Sequence, residues 1–425
     1  MDQPARAPAE SDAADRHLAE QYDALPYPAR DPADEARRLV VGSPSHLLEV
    51  DHWVFGARRP ASRPLRALVA GGGTGDAAIM LAQQMAWAGR EGEVVWLDRS
   101  RAARRVAEAR AAARRLGNIR FVEASILDLP DPSLGLFDYA DCCGVLHHLP
   151  DPAAGLRALA ASLAPGGGLG VMVYAPHGRT GVYMTQDALR LLAPPGEPVA
   201  DRLDAARRLV RHLPETAWLR RNPLITDHTA GGDAGLYDLL LNPRDVAFDV
   251  PGLARLVEGA GLRIACLVEP VRYDPDRILP DPRLRARAAA LGPTERAALA
   301  EAVAGNMGVH IAYLTRADAP PVAADWSDPA AVPVLRELDG PTLARGLPRD
   351  GTLAVTFDGL RVSVPLPRLA GAILSRVDGR AALGEIADAV AASSGQPREA
   401  VAREVAALRA AMEPMNRLLL AAPRT

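Results

Sequence analysis

Between residues 65 and 174, short apolar runs alternate with amphipathic stretches. The apolar runs cover 65–70, 94–97, 119–123 and 169–174, with a further strand in 137–150 that runs out into a loop at its carboxyl end. Residues 77–87, the Arg/Ala-rich stretch 99–116 and residues 152–163 carry helical spacing, and Gly117-Asn118 is a good helix stop. Strands alternating with helices at this pitch predict a parallel, doubly wound sheet with its ligand at the carboxyl ends of the strands. The rhythm breaks at Ala175-Pro176-His177. Residues 178–247 contain a helical stretch at 200–212 among Pro-, Gly- and Asp-rich loops, and read as an insertion capping the active-site end of the sheet. Alternation returns with a helix at 250–261, a strand at 262–268, a helix at 281–303 and a strand at 307–315, giving seven strands.

The flanks follow different patterns. The first dozen or so residues are polar and small, the composition of a disordered tail. Pro26, Pro28 and Pro32 then interrupt Tyr22 to Pro32, which is therefore extended with fixed bends. It is either a linker lying on the surface or a flap whose Tyr22 or Tyr27 closes over a ligand. Short helices are expected at 35–40 and 43–53. Past 317, a Pro/Ala/Asp-rich linker (318–333) leads to residues 334–425. There, strands at 352–357 and 360–364 flank Asp358-Gly359, a strong hairpin signal, and helices are expected at 367–376, 382–392 and 398–412. A hairpin with three helices predicts a small α+β, winged-helix-like accessory domain. The resulting division is a tail and flap at 1–36, the main domain at 37–317, the linker, and the accessory domain.

Charge changes the picture by exclusion. The chain has 49 basic and 52 acidic residues, and from Asp325 onward 12 Arg against 12 acids, interspersed. Neither balance suggests nucleic acid, so the accessory domain is expected to make protein contacts, with a homodimer as one form. Every basic side chain is Arg; the absence of Lys excludes Schiff-base and P-loop lysine chemistry. Three Cys, two adjacent, form no disulfide framework and no zinc site of known spacing, so no metal is expected. The acidic, Ala-rich start is unlike a signal peptide and no run of about 18 apolar residues offers a membrane span, so a cytoplasmic location is expected.

The candidate chemistry lies at 65–98, where a strand passes into Gly71-Gly72-Gly73-Thr74-Gly75-Asp76, a helix follows, and the next strand ends on Asp98. Glycines let the backbone turn tightly beside a ligand, and an acid at the second strand's tip can accept hydrogen bonds from the two hydroxyls of a ribose. Together they point to a nucleoside-type ligand.

With Phe137-Asp-Tyr-Ala-Asp-Cys-Cys-Gly-Val-Leu-His-His-Leu149 and Leu163-Ala-Pro-Gly-Gly-Gly168 in this order, residues 37–316 resemble a class I S-adenosylmethionine (AdoMet) dependent methyltransferase. The resemblance implies a Rossmann-like fold with an antiparallel last strand and AdoMet as cofactor. It places Gly71, Gly73 and Gly75 along the methionine, Asp98 on the ribose and Arg99 beside the adenine. Where the family carries an acid for the adenine amino group stand Ser125 and Ile126, with Asp128 as a fallback. Cys142 and Cys143 would lie under the methionine and sulfonium, although both also read as small buried strand residues. A looser likeness, on Tyr22-Asp-Ala-Leu-Pro-Tyr-Pro28, Ser43-Pro-Ser-His-Leu47 and Leu374-Ser-Arg-Val-Asp-Gly379, is to bacterial protein-lysine methyltransferases with an appended regulatory domain.

Methyl transfer needs alignment and a deprotonated nucleophile more than covalent help. His147 and His148, at the carboxyl end of the fourth strand, are the candidate bases, and the alternative for each is a loop histidine bonded to backbone. Tyr22, Tyr27, Tyr174 and Tyr237 are substrate-side candidates, and His177 lies nearby. The acceptor is expected to be a small molecule or a protein side chain. Two other readings stay open: a catalytically inactive AdoMet-binding partner protein, and a nicotinamide-dependent oxidoreductase, which Gly73-x-Gly75-x-x-Ala78 and Asp98 also fit.

Overall fold

The computed structural model describes residues 26–424. Tyr22 and most of the N-terminal tail lie outside the described residues. The seven apolar runs form one mixed sheet: β1 (Leu65–Ala70), β2 (Gly92–Asp98), β3 (Ile119–Glu123), β4 (Phe137–Cys143), β5 (Leu163–Tyr174), β6 (Leu262–Val268) and β7 (Val309–Arg316). Their order is β3-β2-β1-β4-β5-β7-β6, with β7 antiparallel to both neighbours. The order reverses beside β1, and the crevice at such a switch point is where ligands settle in open α/β sheets. Val69 of β1 stands in register with Trp96 of β2 on one side and Asp141 of β4 on the other.

Helices α1 (Asp76–Trp87), α2 (Arg101–Ala113), α3 (Pro152–Ala161) and α4 (Val250–Glu258) cover the sheet. Asp151, Asp249 and Ser100 cap three of these helices with side-chain oxygens, which satisfy amide groups left open at each N-terminus. Two apolar clusters, one on each face, bury Leu68, Leu97, Phe137 and Leu169, and Leu81, Met85, Trp96 and Tyr313.

The insertion is more helical than its composition predicts. Helices Val182–Leu192, Val199–Arg211 and Gly232–Leu240, with two four-residue helices between, close around a core of Val182, Leu189, Leu203, Leu219 and Leu240. Four further expectations need adjustment. Strand β5 begins at Leu163 rather than 169, because its bulged pairing with β4 absorbs the Gly166-Gly167-Gly168 turn. The helix expected at 35–40 is a 3₁₀ turn at Pro32–Ala36, capped by Asp31. The 43–53 stretch becomes a short helix at Leu47–Glu49 that widens into a π-helix at Val50–Val54. The single helix expected at 281–303 is two, Pro282–Ala288 and Pro293–Ala304, because Gly292-Pro293 starts the second.

In the accessory region, strands β9 (Thr352–Phe357) and β10 (Leu360–Pro365) pair around Asp358-Gly359, and helices Ala370–Leu374, Leu383–Ser394 and Arg398–Met412 follow. Unforeseen in the pattern, β8 (Pro333–Leu335) pairs antiparallel with β11 (Leu418–Leu420) and ties the region's two ends together. The region is seated on the main domain through segment 43–55. The buried Glu49 carboxylate accepts from Ser43 and from the Tyr313 hydroxyl at 2.8 Å, and faces the Arg336 guanidinium at 2.5 Å. His52 bonds Glu413 and accepts from the Leu420 amide, while Trp53 donates to Asn416. Among the described residues no helix is long and apolar enough to cross a membrane.

Candidate functional site

A cavity of about 540 Å³ opens over the carboxyl ends of β1 to β5, within the roughly 300–1,000 Å³ usual for small-molecule and cofactor sites. The glycine turn forms its floor. Gly71 (φ +75°) and Gly73 (φ +48°) adopt the left-handed backbone that side chains avoid. A Cβ at Gly71 would sit 2.3 Å from Val145, and one at Gly73 would sit 2.9 Å from the Tyr27 carbonyl oxygen, so neither position admits another residue without displacing a wall.

Asp98 stands beside this turn, at the tip of β2. The Gly73 amide donates to Oδ2 at 2.8 Å and the Ser100 amide to Oδ1 at 2.9 Å. Each oxygen thus keeps acceptor capacity toward the cavity. Burial raises this carboxyl above its ordinary range, and backbone donors act against the rise. Arg99, Ser125, Ile126 and Leu127 line the wall beyond it. Ser125 caps the following turn, accepting from the Leu127 amide, while Asp128 accepts from the Ser125 amide. Asp128 is occupied in that capping box and does not line the cavity.

The proline-rich segment forms part of the cavity wall. Tyr27, Pro28 and Arg30 line the cavity. Arg30 forks onto Asp76, with Nη2 at 2.6 Å, and Thr74 donates to the Pro28 carbonyl at 2.7 Å. Arg110, buried in α2, clamps both Glu35 and Asp76 at 2.7 Å, and Arg114 joins on Glu35. Buried charges are tolerated only in such paired arrangements. The proline-rich segment therefore lies over the glycine turn, with its Tyr27 facing in.

At the other end, the insertion closes over β5. The Tyr174 hydroxyl donates to Asp238 at 3.1 Å, and its ring lies between the His147 ring, stacked at 3.8 Å, and the Arg179 guanidinium at 3.7 Å. Arg179 is neutralised by Asp245 at 2.7 Å. Asp227 and Asp238 both line the cavity, and burial with the charge of Asp238 raises the Asp227 carboxyl. His148 also lines the cavity and bonds the Arg244 carbonyl through Nδ1 at 2.6 Å. Because a carbonyl only accepts, this bond assigns the proton to Nδ1 and leaves the Nε2 lone pair.

Of the residues singled out from sequence, Gly71, Gly73, Asp98, Arg99, Ser125, Ile126, Cys143, His148, Tyr27 and Tyr174 converge on this cavity. Six described ones do not, Asp128 and His177 among them. Gly75 (φ +101°) packs its backbone against Ala107 and Ile79. Cys142 points into the opposite core, since alternate strand residues face opposite ways. His147 is fully buried behind Tyr174, its Nδ1 3.4 Å from the Tyr174 amide. Tyr237 lies in the insertion's core against Arg202. Both adjacent thiols are pushed up by burial, so neither is a ready nucleophile. The sequence reading passed over Asp141, Asp227 and Asp238. A second acid inside the strand, after Asp138 at its start, was the available signal for the first; the other two sit in a segment with no motif.

The chemistry of this lining fits AdoMet. It offers a backbone turn without side chains, a carboxylate for the ribose, apolar Ile126 and Leu127 for the base, and further carboxylates for cationic groups. Residues 68–169 match a family profile described as a methyltransferase domain. A protein of Synechococcus sp. is 32% identical over 315 residues, 72% of either chain. A ubiquinone biosynthesis O-methyltransferase of Albidiferax ferrireducens is 36% identical over 88 residues, covering 21% of this chain and 34% of its own. The solved structure of PKMT2 from Rickettsia typhi in complex with AdoHcy has the same fold, with a TM-score of 0.61 at 15% identity over 89% of this chain and 75% of that one. The relationship runs through most of the chain and the fold, and it places this protein in the class I AdoMet-dependent methyltransferases.

Proposed function

We propose that the methyl acceptor is an amine, of the lysine type, presented by a protein or peptide. The observation that carries this reading is the pair of carboxylates, Asp227 and Asp238, lining the acceptor end of the cavity beside the Tyr27 and Tyr174 rings. Carboxylates recognise an ammonium directly, and the Tyr27 ring can add a cation–π attraction of about 0.5–2 kcal/mol, whereas both faces of the Tyr174 ring are already covered by His147 and Arg179. The likeness of both ends of the chain to bacterial protein-lysine methyltransferases points the same way.

When bound, AdoMet supplies an electrophilic methyl on a positively charged sulfur. The chain's own residues have three tasks. Asp227 and Asp238 draw the ammonium in. The proton then leaves, because only a neutral amine has the lone pair to attack the methyl carbon. We assign its acceptance to Nε2 of His148, with the raised Asp227 carboxylate as a second route. His147 acts through Tyr174, as a positioning residue. The amine nitrogen forms the new N–C bond, the C–S bond breaks, and its electron pair stays on sulfur. The products are a methylated ammonium and neutral AdoHcy. The Tyr27 flap and the insertion keep water from the methyl.

The test is a digest of acceptor proteins from an extract incubated with methyl-labelled AdoMet and the full-length chain. The chain has no Lys, so lysine-borne label cannot arise on the enzyme itself. Methyl-lysine in the digest supports the reading, and label confined to small compounds or to oxygen refutes it.

A further inference from the structure

Asp141 is an acid in the middle of the sheet that the reaction described above does not use. It lies on β4, in register with Val69 of β1 and Gly170 of β5, and is 1% exposed. Yet it lines the cavity, on the wall beside Cys143 and Gly71. Its Oδ2 accepts from the Ser45 hydroxyl at 2.6 Å, and Ser45 in turn contacts the Tyr139 hydroxyl at 3.0 Å. The other groups acting on it are the Cys143 amide, which supports its charge, and the thiols of Cys142 and Cys143. No cation is paired with it among the described residues, and on that side Arg30 is already held by Asp76, which Arg110 also binds. Burial pushes its carboxyl up to about 7. A carboxylate out of water is costly until a cation completes it, and the cavity is where that cation can come from.

We propose that Asp141, oriented by Ser45, anchors the α-ammonium of the cofactor's methionine moiety. This rests on AdoMet occupying the cavity as set out above. The order of the strand tips supplies the direction: with the ribose on Asp98 of β2 and the base toward Ser125 after β3, the amino-acid end lies across β1, toward β4. The cofactor has a second cation, its sulfonium, but a carboxylate against that sulfur would stabilise a charge that vanishes in the transition state and would slow the reaction. The ammonium keeps its charge throughout and can donate hydrogen bonds. Because Asp141 must ionise to hold it, binding ejects a proton near neutral pH and strengthens as pH rises from 5 to 7.

Calorimetric binding to the full chain separates the possibilities with three probes: AdoMet, AdoHcy, which keeps the ammonium but has neutral sulfur, and 5′-methylthioadenosine, which has neither charge. For Asp141→Asn, AdoMet and AdoHcy are expected to weaken together by about 10- to 100-fold, as for a lost charge-assisted hydrogen bond, with 5′-methylthioadenosine unchanged. Ser45→Ala shows the same pattern, smaller. Wild type in two buffers of different ionisation enthalpy releases roughly half a proton per AdoHcy at pH 7, and Asp141→Asn releases none. Loss for AdoMet alone places Asp141 at the sulfonium and overturns the proposal, as does unchanged AdoHcy affinity or equal weakening of all three probes. If wild type binds none of the probes, the cofactor placement fails first. Unchanged 5′-methylthioadenosine affinity in the variant shows that its pocket is folded.

Discussion

Replacing Asp98 with Ala tests the floor of the cavity most directly. In the free protein its carboxylate accepts from the Gly73 and Ser100 amides at 2.8 and 2.9 Å, and the Arg99 amide also supports its charge. The remaining acceptor positions face the cavity, where two ribose hydroxyls would donate. Hydrogen bonds to a charged acceptor contribute about 1.5–3 kcal/mol each. Taking the lower figure for both, because water enters the vacated space, the loss is about 3 kcal/mol, or on the order of 100-fold in affinity. Folding stability changes less. The two stranded amides border a cavity that admits water, so about 1 kcal/mol is expected. Titration calorimetry with AdoHcy reads the first quantity and urea unfolding the second. A folded variant that binds AdoHcy as tightly as wild type would refute the reasoning, since it would mean the carboxylate never touches the nucleoside. A 100-fold loss accompanied by collapse of stability would instead make Asp98 a structural brace of the glycine turn.

Further outcomes follow from other sites. Asp238→Asn is expected to lower kcat/KM for an amine acceptor by about 10-fold or more while AdoHcy affinity holds, which separates acceptor recognition from cofactor binding in steady-state kinetics. Arg110→Ala leaves Glu35 and Asp76 short of their shared cation and should cost about 3–5 kcal/mol in urea unfolding. Asp141→Asn should raise the melting temperature of the ligand-free protein at pH 8, and by clearly less at pH 5. The folded-state carboxyl titrates near 7, well above its unfolded value. Its neutral form therefore stabilises the fold fully only below about pH 3.9, and that stabilisation is lost progressively as pH rises from there to 7. An amide cannot ionise and escapes the loss.

What could be read in advance was what depends on neighbours in the chain. Strand length, the Gly71-to-Gly75 turn and the acid after β2 each encode their geometry within a few residues, and the Asp358-Gly359 hairpin does the same. The flap was half legible. Three prolines excluded a helix, but that Tyr27 faces the cavity depends on Arg30 and Glu35 finding Asp76 and Arg110, some 46 and 75 residues away. The acids of the acceptor end were illegible for the same reason, since Asp227 and Asp238 come together only when the insertion folds on its own core. The pairing of β8 with β11 joins residues more than 80 positions apart and left no local mark. His147 and His148 show the limit of adjacency. One faces the cavity and the other is sealed behind Tyr174, and only the turn at Leu146–His148 decides which.

Segment 43–55 has two masters. Ser45 bonds Asp141 on the cavity wall, while four positions later Glu49 is closed by Arg336, and His52 and Trp53 are held by Glu413, Leu420 and Asn416. A gene cut at the 318–333 boundary to yield a minimal enzyme would thus strip the cation from a buried carboxylate and both partners from a buried imidazole. The damage would start at the seam and reach the methyl-donor pocket through a single bend of chain. Shortened forms are poor stand-ins for the intact protein, however natural the boundary looks.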